Sequence, residues 1–284
     1  MPFVTLREVL TDAERGEYAV GAFNTNNMEI VQAIVEAAEE ERSPVILQAS
    51  QGGLKYAGIR YIVAMVRAAV ETATVPIVLH LDHGTSFEQT MLCLKHGFTS
   101  VMFDGSKYSL QENIAATRKV ADVAHAMGAS VEGELGKIGG TEDDVSVDER
   151  DASMTDPDEA VQFVTKTNVD AFAVAIGTAH GTYKGDPILD FARLKNIDER
   201  VDTAIVLHGA SGVSADSIRK AISLGVRKIN IDTELRQAFT RGVQNVVQTK
   251  PHEYDPRKIL GPAKEEMKAI IKEKMRLFGS SGNA

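Results

Sequence analysis

The stretch Ile77-Val-Leu-His-Leu-Asp82-His83-Gly84 is an apolar run, broken only by His80, that ends in an acid and an imidazole. Seven further short runs end in the same manner. They are Tyr18–Phe23 ending at Asn24, Val45–Ala49 at Ser50, Val101–Phe103 at Asp104, and Ser130–Gly133 at Glu134. Ala171–Ile176 is followed by His180, Ala204–Leu207 by His208, and Lys228–Ile229 by Asn230. Continuous runs rich in β-branched residues are the pattern of parallel strands buried on both faces. If eight such strands close on themselves, all the terminal polar residues project from one rim, where barrels of this kind build their active sites. The pattern predicts an α/β fold, a (β/α)8 TIM barrel with its active site at the C-terminal rim.

Helical patterns lie between these runs. Glu29–Glu41 carries Ile30, Ala33, Ile34 and Ala37 on one face, and Arg60–Thr72 carries Ile62, Met65, Val66 and Ala69. Ser86 is a candidate cap for Ser86–Lys95, and Gly128 closes Leu110–Met127. Asp156-Pro157 opens a helix to about Thr167; Ser214–Leu224 and Thr233–Thr249 complete the set. Strict alternation of strand and helix implies parallel strands joined by right-handed crossovers. Two segments depart from it. Gly136–Thr155 is long for a strand-to-helix loop, with Gly139-Gly140 as a hinge for a lid. Pro256–Ala284 carries a stripe of Ile259, Met267, Ile270, Ile271, Met275 and Phe278, which predicts an extra C-terminal helix packed on the barrel or a neighbour.

The 284 residues suit a single barrel domain over 1–284, with that helix included. A formal net charge of −9 argues against nucleic-acid or membrane-surface binding, which needs basic patches. It leaves open an anionic small substrate held by a few backbone N–H groups. No run approaches a membrane span, and Met1-Pro-Phe-Val-Thr-Leu-Arg-Glu lacks a basic-then-apolar leader. With a single cysteine, Cys93, read as a small apolar helix residue, the expected location is the cytoplasm.

His83, His180 and His208 each precede a glycine just beyond a strand end. Three imidazoles with one open position suit a catalytic zinc ion that polarises a substrate oxygen. His80 is expected to point into the barrel, and His96, His125 and His252 receive no role. Asp82 stands beside the site as a proton shuttle. For Asp104 and Glu134, an alternate cation position, a role in orienting histidines, and a plain salt-bridge or capping role all stay open. Glu142, Asp143 and Asp144 read as a solvated acidic loop. The turn Gly209-Ala210-Ser211 and the helix start at Thr233 follow the last two strands, where barrels often hold phosphate. The residues therefore describe a divalent-metal enzyme acting on a phosphorylated carbonyl compound.

His80-Leu-Asp-His-Gly-Thr, Val131-Glu-Gly-Glu-Leu-Gly, Ala175-Ile-Gly-Thr-Ala-His-Gly-Thr-Tyr-Lys-Gly and Val206-Leu-His-Gly-Ala-Ser resemble motifs of the class II fructose-1,6-bisphosphate aldolases. The resemblance runs from Tyr18 to Leu277-Phe-Gly-Ser, and the length resembles the shorter subclass. It implies that His83, His180 and His208 hold the catalytic Zn2+ and that Asp104 and Glu134 form an alternate divalent site. It gives Asp82 the proton of the aldehyde-derived oxygen, and it turns Glu142 from a solvated acid into the base that deprotonates dihydroxyacetone phosphate. Gly181, Gly209, Ala210, Ser211, Asn230, Ile231, Asp232 and Thr233 match the dihydroxyacetone phosphate site, assisted by a monovalent cation, Na+ or K+. Ser50, with Asn24 nearby, matches the glyceraldehyde 3-phosphate half. Arg257 resembles an arginine that reaches a neighbouring subunit's site, which implies a homodimer or homotetramer.

The activity implied is reversible aldol cleavage of fructose 1,6-bisphosphate without a lysine Schiff base. The tagatose-1,6-bisphosphate aldolases share nearly every motif but often carry alanine at the position of Asp232; that acid, with Lys184-Gly185, points to the fructose substrate. Ser106-Lys107-Tyr108 departs from relatives that have histidine after the serine. A metal-dependent hydrolase on the same barrel would usually take a ligand from the first strand, which here ends in Asn24. A non-catalytic sugar-phosphate binder would be expected to lack Asp82 or a histidine, and none is missing.

Overall fold

Eight parallel strands close into a barrel: β1 (Val20–Asn24), β2 (Val45–Ser50), β3 (Ile77–Gly84), β4 (Ser100–Phe103), β5 (Ser130–Leu135), β8 (Ala171–Val174), β10 (Ala204–Leu207) and β11 (Val226–Ile231). The computed structural model describes residues 3–142, 145–148, 152–183, 185 and 187–284, with the backbone alone of Glu142 and Val145–Val147. Asp143, Asp144 and Lys184 lie outside the described residues. Helices α2 (Met28–Glu41), α4 (Ile59–Thr72), α5 (Phe87–Lys95), α6 (Leu110–Ala126), α7 (Pro157–Thr167), α9 (Ala215–Ser223) and α10 (Thr233–Thr249) fall where the apolar spacing predicts them, within two residues at each end. Their starts are capped by side chains as read: Ser86 accepts from the Gln89 N–H and Asp156 from those of Asp158 and Glu159.

The period-two alternation of each strand divides the core. Leu47, Leu79, Val131, Phe172, Ile205 and Ile229 face outward and pack under the helices. Val20, Ala22, Ile46, Val78, Ala171, Ala173 and Val206 face inward and fill the lower barrel. An element absent from the sequence reading completes that inner core. Helix α1 (Leu6–Gly16) lays Leu6, Val9, Leu10 and Ala13 against it and stoppers the N-terminal end. Its start is a capping box, Thr5 with Glu8. Two further helices also went unread: α3 (Gln51–Ala57), capped by Ser50, and α8 (Phe191–Asp198), capped by Asp190.

The 136–155 segment is not a plain loop. It contains β6 (Gly139–Glu142) and β7 (Val145–Val147), an antiparallel pair. β6 also pairs in parallel with β9 (Ala179–His180), so a three-stranded sheet stands above the rim. The tail forms α11 (Pro256–Phe278), which buries Met267, Ile271, Met275 and Phe278 against the barrel as its stripe predicts.

α10 and α11 come close at Gly242, where a Cβ atom would lie 2.5 Å from Ala263 Cα. Alanine in a helix interior is better than glycine by about 1 kcal/mol. Overpacking against a rigid backbone costs about 1–3 kcal/mol. Packing wins, so Gly242→Ala is expected to lower the urea midpoint of unfolding by the equivalent of about 1 kcal/mol; a raised midpoint would show that the helices separate freely.

Candidate metal and substrate site

Above its apolar lower half the barrel interior turns polar. On β3 the inward sequence runs Val78, His80, Asp82; on β5 it passes Glu132 and Glu134; on β11, Lys228 and Asn230. Asp82, fully buried, accepts from three side-chain amides. Asn24 Nδ2 lies 3.1 Å and Gln48 Nε2 2.9 Å from Oδ2, and Asn230 Nδ2 lies 3.3 Å from Oδ1. Gln48 in turn donates to Asn24 Oδ1 at 2.6 Å, tying the donors together. This anchoring gives Asp82 a single orientation at the rim.

Strand alternation would send the next residue outward. Instead His83 adopts φ 48°, a left-handed conformation uncommon for a residue with a side chain. The break coincides with a shift in the β3–β4 register between Leu81 and Gly84. Gln51 Nε2 donates to the His83 carbonyl at 2.6 Å and helps hold the turn. Such strain costs on the order of 1–3 kcal/mol and is common at functional sites. Its effect is that Asp82 and His83 both stay buried while His83 reaches Asp104, Nδ1 to Oδ2, at 2.9 Å.

His208, at the end of β10, places Nδ1 3.0 Å from His83 Nε2. On its other side Nε2 lies 2.8 Å from Glu132 Oε1. With Nδ1–H of His83 donated to Asp104 and Nε2–H of His208 donated to Glu132, the two facing nitrogens both carry lone pairs. Two lone pairs at that distance repel unless a proton or a metal ion lies between them. His180 completes the group, its ring centroid 5.1 Å from that of His83 and 6.0 Å from that of His208. Ligand atoms of His83, His180 and His208, and separately of His83, Asp104 and Glu134, lie within 4.8 Å of one another. Glu134 Oε2 is buried without a hydrogen bond. The donor set fits a divalent cation: imidazoles and carboxylates of the kind zinc takes, with excess negative charge around them.

Without a cation these groups bias one another strongly. Burial pushes the His83 pKa down, but the charges of Asp82, Asp104 and Glu134 outweigh it and hold it well above the ordinary value. Burial pushes Asp104 up, yet the His83 hydrogen bond and charge, with Ser106, hold it well below the usual carboxylate range. Glu134 is raised well above its ordinary value by burial and by Asp104. His208 is lowered by burial despite the Glu132 bond. Here a proton on His83 offsets charge that a metal would offset better, and metal binding at such sites releases protons.

His180 is carried by β9, not by the strand before it; β8 ends at Val174. β9 is held between two glycines. Gly140 pairs with His180 at φ 95°, and a Cβ there would collide with the His180 carbonyl oxygen. At Gly209, φ 63°, a Cβ would lie 2.5 Å from the Ala179 carbonyl oxygen. Tyr183 clasps the same loop, its hydroxyl accepting from Ala179 N–H at 2.6 Å and donating to the Gly209 carbonyl at 2.7 Å.

The remaining sequence candidates divide. Ser50, buried, caps α3 by accepting from Gly53 N–H at 3.1 Å. Gly181 and Ser211 line a cavity of about 410 Å3 with Tyr183, Gly212, Thr233 and Gln237. Asp232 and Thr233 line a neighbouring one of about 470 Å3 with Thr141, Arg236 and Arg241. Asp232 accepts from Arg236 Nε at 2.8 Å. Ala210 and Ile231 are buried apolar residues. Glu142 sits in β6, two residues beyond the glycine paired with His180. Arg257 joins none of these: it is 90% exposed at the start of α11 and paired with Asp255 at 2.7 Å. Three interior residues were not picked out from the sequence at all: Gln48, Glu132 and Lys228. Each stands two positions before a named residue on its strand, and that spacing was the available signal.

A (β/α)8 barrel whose C-terminal rim gathers a cation-binding donor set is the class that fold and geometry define. The comparisons narrow it. A family model described as fructose-bisphosphate aldolase class-II matches residues 4–283. A fructose-bisphosphate aldolase from Thermus caldophilus is 48% identical, with 99% of each chain covered. A sulfofructosephosphate aldolase from Alkalicoccus urumqiensis is 44% identical over 100% of this chain and 99% of that one. The crystal structure of the YdjI aldolase from Escherichia coli K12 superposes with a TM-score of 0.88 at 35% identity, covering 99% of both chains. The chain belongs to the class II fructose-bisphosphate aldolase family, a metal-dependent family of lyases.

Gly140→Ala is expected to break the β6–β9 pairing and displace His180. The fall in Zn2+ affinity should be at least tenfold, as for loss of groups that orient ligands, read by competition with a chromophoric chelator. Unchanged affinity would mean that His180 is placed without β6.

Proposed function

We propose that this protein catalyses reversible aldol cleavage of D-fructose 1,6-bisphosphate to dihydroxyacetone phosphate and D-glyceraldehyde 3-phosphate. The observation that carries the reading is the pair of facing imidazole nitrogens, His83 Nε2 and His208 Nδ1, 3.0 Å apart beside the anchored Asp82 carboxylate. His83, His180 and His208 hold a Zn2+ ion, with Asp104 and Glu134 as an alternate divalent site. When bound, the ion polarises the ketone and offsets the charge that develops on it.

The chain's own residues do the rest. Asp82, held by Asn24, Gln48 and Asn230, takes the proton of the C4 hydroxyl as the C3–C4 bond breaks. Glu142 exchanges a proton at the carbon of dihydroxyacetone phosphate next to its carbonyl; its support is the family motif and the pairing of its strand with the one carrying His180. Gly181, the Gly209-Ala210-Ser211 turn and Asn230-Ile231-Asp232-Thr233 take the dihydroxyacetone phosphate end, a reading supported by the cavity that Gly181, Ser211 and Thr233 line, and Lys184 also contacts the substrate. A monovalent cation, Na+ or K+, assists there. Asn24 and Ser50 contact the glyceraldehyde 3-phosphate half, and Arg257, exposed and free of its own rim, reaches the site of a second subunit in a homodimer or homotetramer. Residues 1–284 act as one barrel domain working in the cytoplasm on a soluble substrate. Among the described residues no helix is long and apolar enough to cross a membrane.

The test is coupled cleavage of fructose, tagatose and sulfofructose substrates, before and after EDTA and with Zn2+ restored. Chelator-sensitive cleavage favouring fructose 1,6-bisphosphate is expected. A tagatose preference would make Asp232 a poor discriminator, and a sulfofructose phosphate preference would align the chain with its Alkalicoccus relative. Activity surviving thorough chelation would sink the metal mechanism. His180→Ala is expected to abolish Zn2+ binding and cleavage together. Glu142→Ala is expected to retain Zn2+ but slow hydrogen exchange of dihydroxyacetone phosphate with solvent by at least about 100-fold, the lower end of general-base contributions; full exchange in that variant would remove Glu142 from the reaction.

A further inference from the structure

Beneath the rim, at the level where the barrel interior turns polar, a lysine is buried with no access to solvent. Lys228 lies on β11, beside Val206 of β10 and Val20 of β1. Its Nζ is 2.8 Å from Glu132 Oε2, and both residues are 0% exposed. The other carboxylate oxygen, Oε1, meets His208 Nε2 at 2.8 Å. His80 approaches the same carboxylate, Nε2 to Oε2, at 3.4 Å, and is anchored from behind by Ser100 Oγ at 2.8 Å from Nδ1. Lysine, glutamate and imidazole thus form a chain that ends at His208 Nδ1, the nitrogen facing His83.

An isolated buried carboxylate is a costly species, and an isolated buried ammonium equally so. Nothing in the assigned chemistry uses Lys228: it touches neither the rim nor Asp82 by any described hydrogen bond or ion pair. Yet among the described residues it is the one Lys or Arg side chain paired with Glu132, and Glu132 is the group that decides which nitrogen of His208 carries the hydrogen. A carboxylate accepting from Nε2–H leaves Nδ1 as a lone pair aimed at the cation position, and the orientation of such ligands depends on the groups behind them.

We propose that Lys228 is a positioning residue: by holding Glu132 in place through the ion pair, it fixes the tautomer and orientation of His208 as a metal ligand. The inference rests on the reading of His208 as a ligand. It predicts an order of Zn2+ affinities that a purely structural lysine would not produce. Lys228→Met keeps most of the length and removes the charge; it leaves Glu132 buried without a counter-charge and frees it to turn away from His208. Lys228→Met with Glu132→Gln removes both charges and restores an oxygen that can accept from His208 Nε2–H.

The experiment measures Zn2+ affinity by chelator competition in wild type, K228M and K228M/E132Q. Thermal unfolding of the metal-free proteins is followed in parallel, with the imidazole N–H resonances of 15N-histidine-labelled, Zn2+-loaded protein. Wild type is expected to show a hydrogen-bonded Nε2–H resonance for His208. K228M should bind Zn2+ about 10–100-fold more weakly, the range for groups that orient a ligand, and lose or shift that resonance; the double variant should recover most of the affinity. Wild-type affinity in folded K228M, or equal losses in both variants tracking their unfolding temperatures, would overturn the proposal. If K228M does not fold, a wild-type His208 with hydrogen on Nδ1 would overturn it alone, and recovered affinity in the double variant with Nε2–H in wild type would uphold it. Failure of the wild type to bind Zn2+ would instead refute the ligand reading on which the inference rests.

Discussion

A closed barrel must fill its own interior, and that constraint organises the rest of this molecule. The lower half is filled by apolar side chains and stoppered by α1. The upper half is filled by Gln48, His80, Asp82, Glu132, Lys228 and Asn230, all buried. Polar groups removed from water must satisfy one another. Most of those contacts run between strands: Lys228 to Glu132, Glu132 to His208, His83 to Asp104, and the amides of Asn24, Gln48 and Asn230 to Asp82. The rim residues are therefore held from below by a polar network that the barrel walls keep in register.

Two local devices adapt this rigid frame to a site. The left-handed turn at His83 lets consecutive residues Asp82 and His83 both stay inside, placing a carboxylate and an imidazole a single peptide apart. The sheet of β6, β7 and β9 places His180 on the same small element as the strand bearing Glu142. Glycines at 140 and 209 are required there because backbone, not side chain, is what His180 and Ala179 present to them.

The eight strands were legible because they are buried on both faces almost throughout and so read as mainly apolar runs. The rim residues were legible because they end those runs. Glu132 and Lys228 were not, since a charged residue within a strand looks like a break until closure shows that its face is the interior. α1 went unread although Thr5 and Glu8 form a capping box; an isolated short helix before the first strand has no place in a strict alternation. The β6–β7 pair was hidden in a glycine-rich acidic stretch whose pairing partner, β9, lies nearly forty residues away.

By itself the sequence determined the order of elements, the barrel, and which residue types gather at one rim, because hydrophobic periodicity and chain-end polarity are local properties. Through its motifs it also carried the family. Tertiary structure decided which nitrogens of His83 and His208 face each other, which amides hold Asp82, and which lysine balances Glu132. Those are relations between strands far apart in the chain, set by barrel register and by the cost of leaving a buried charge unpaired.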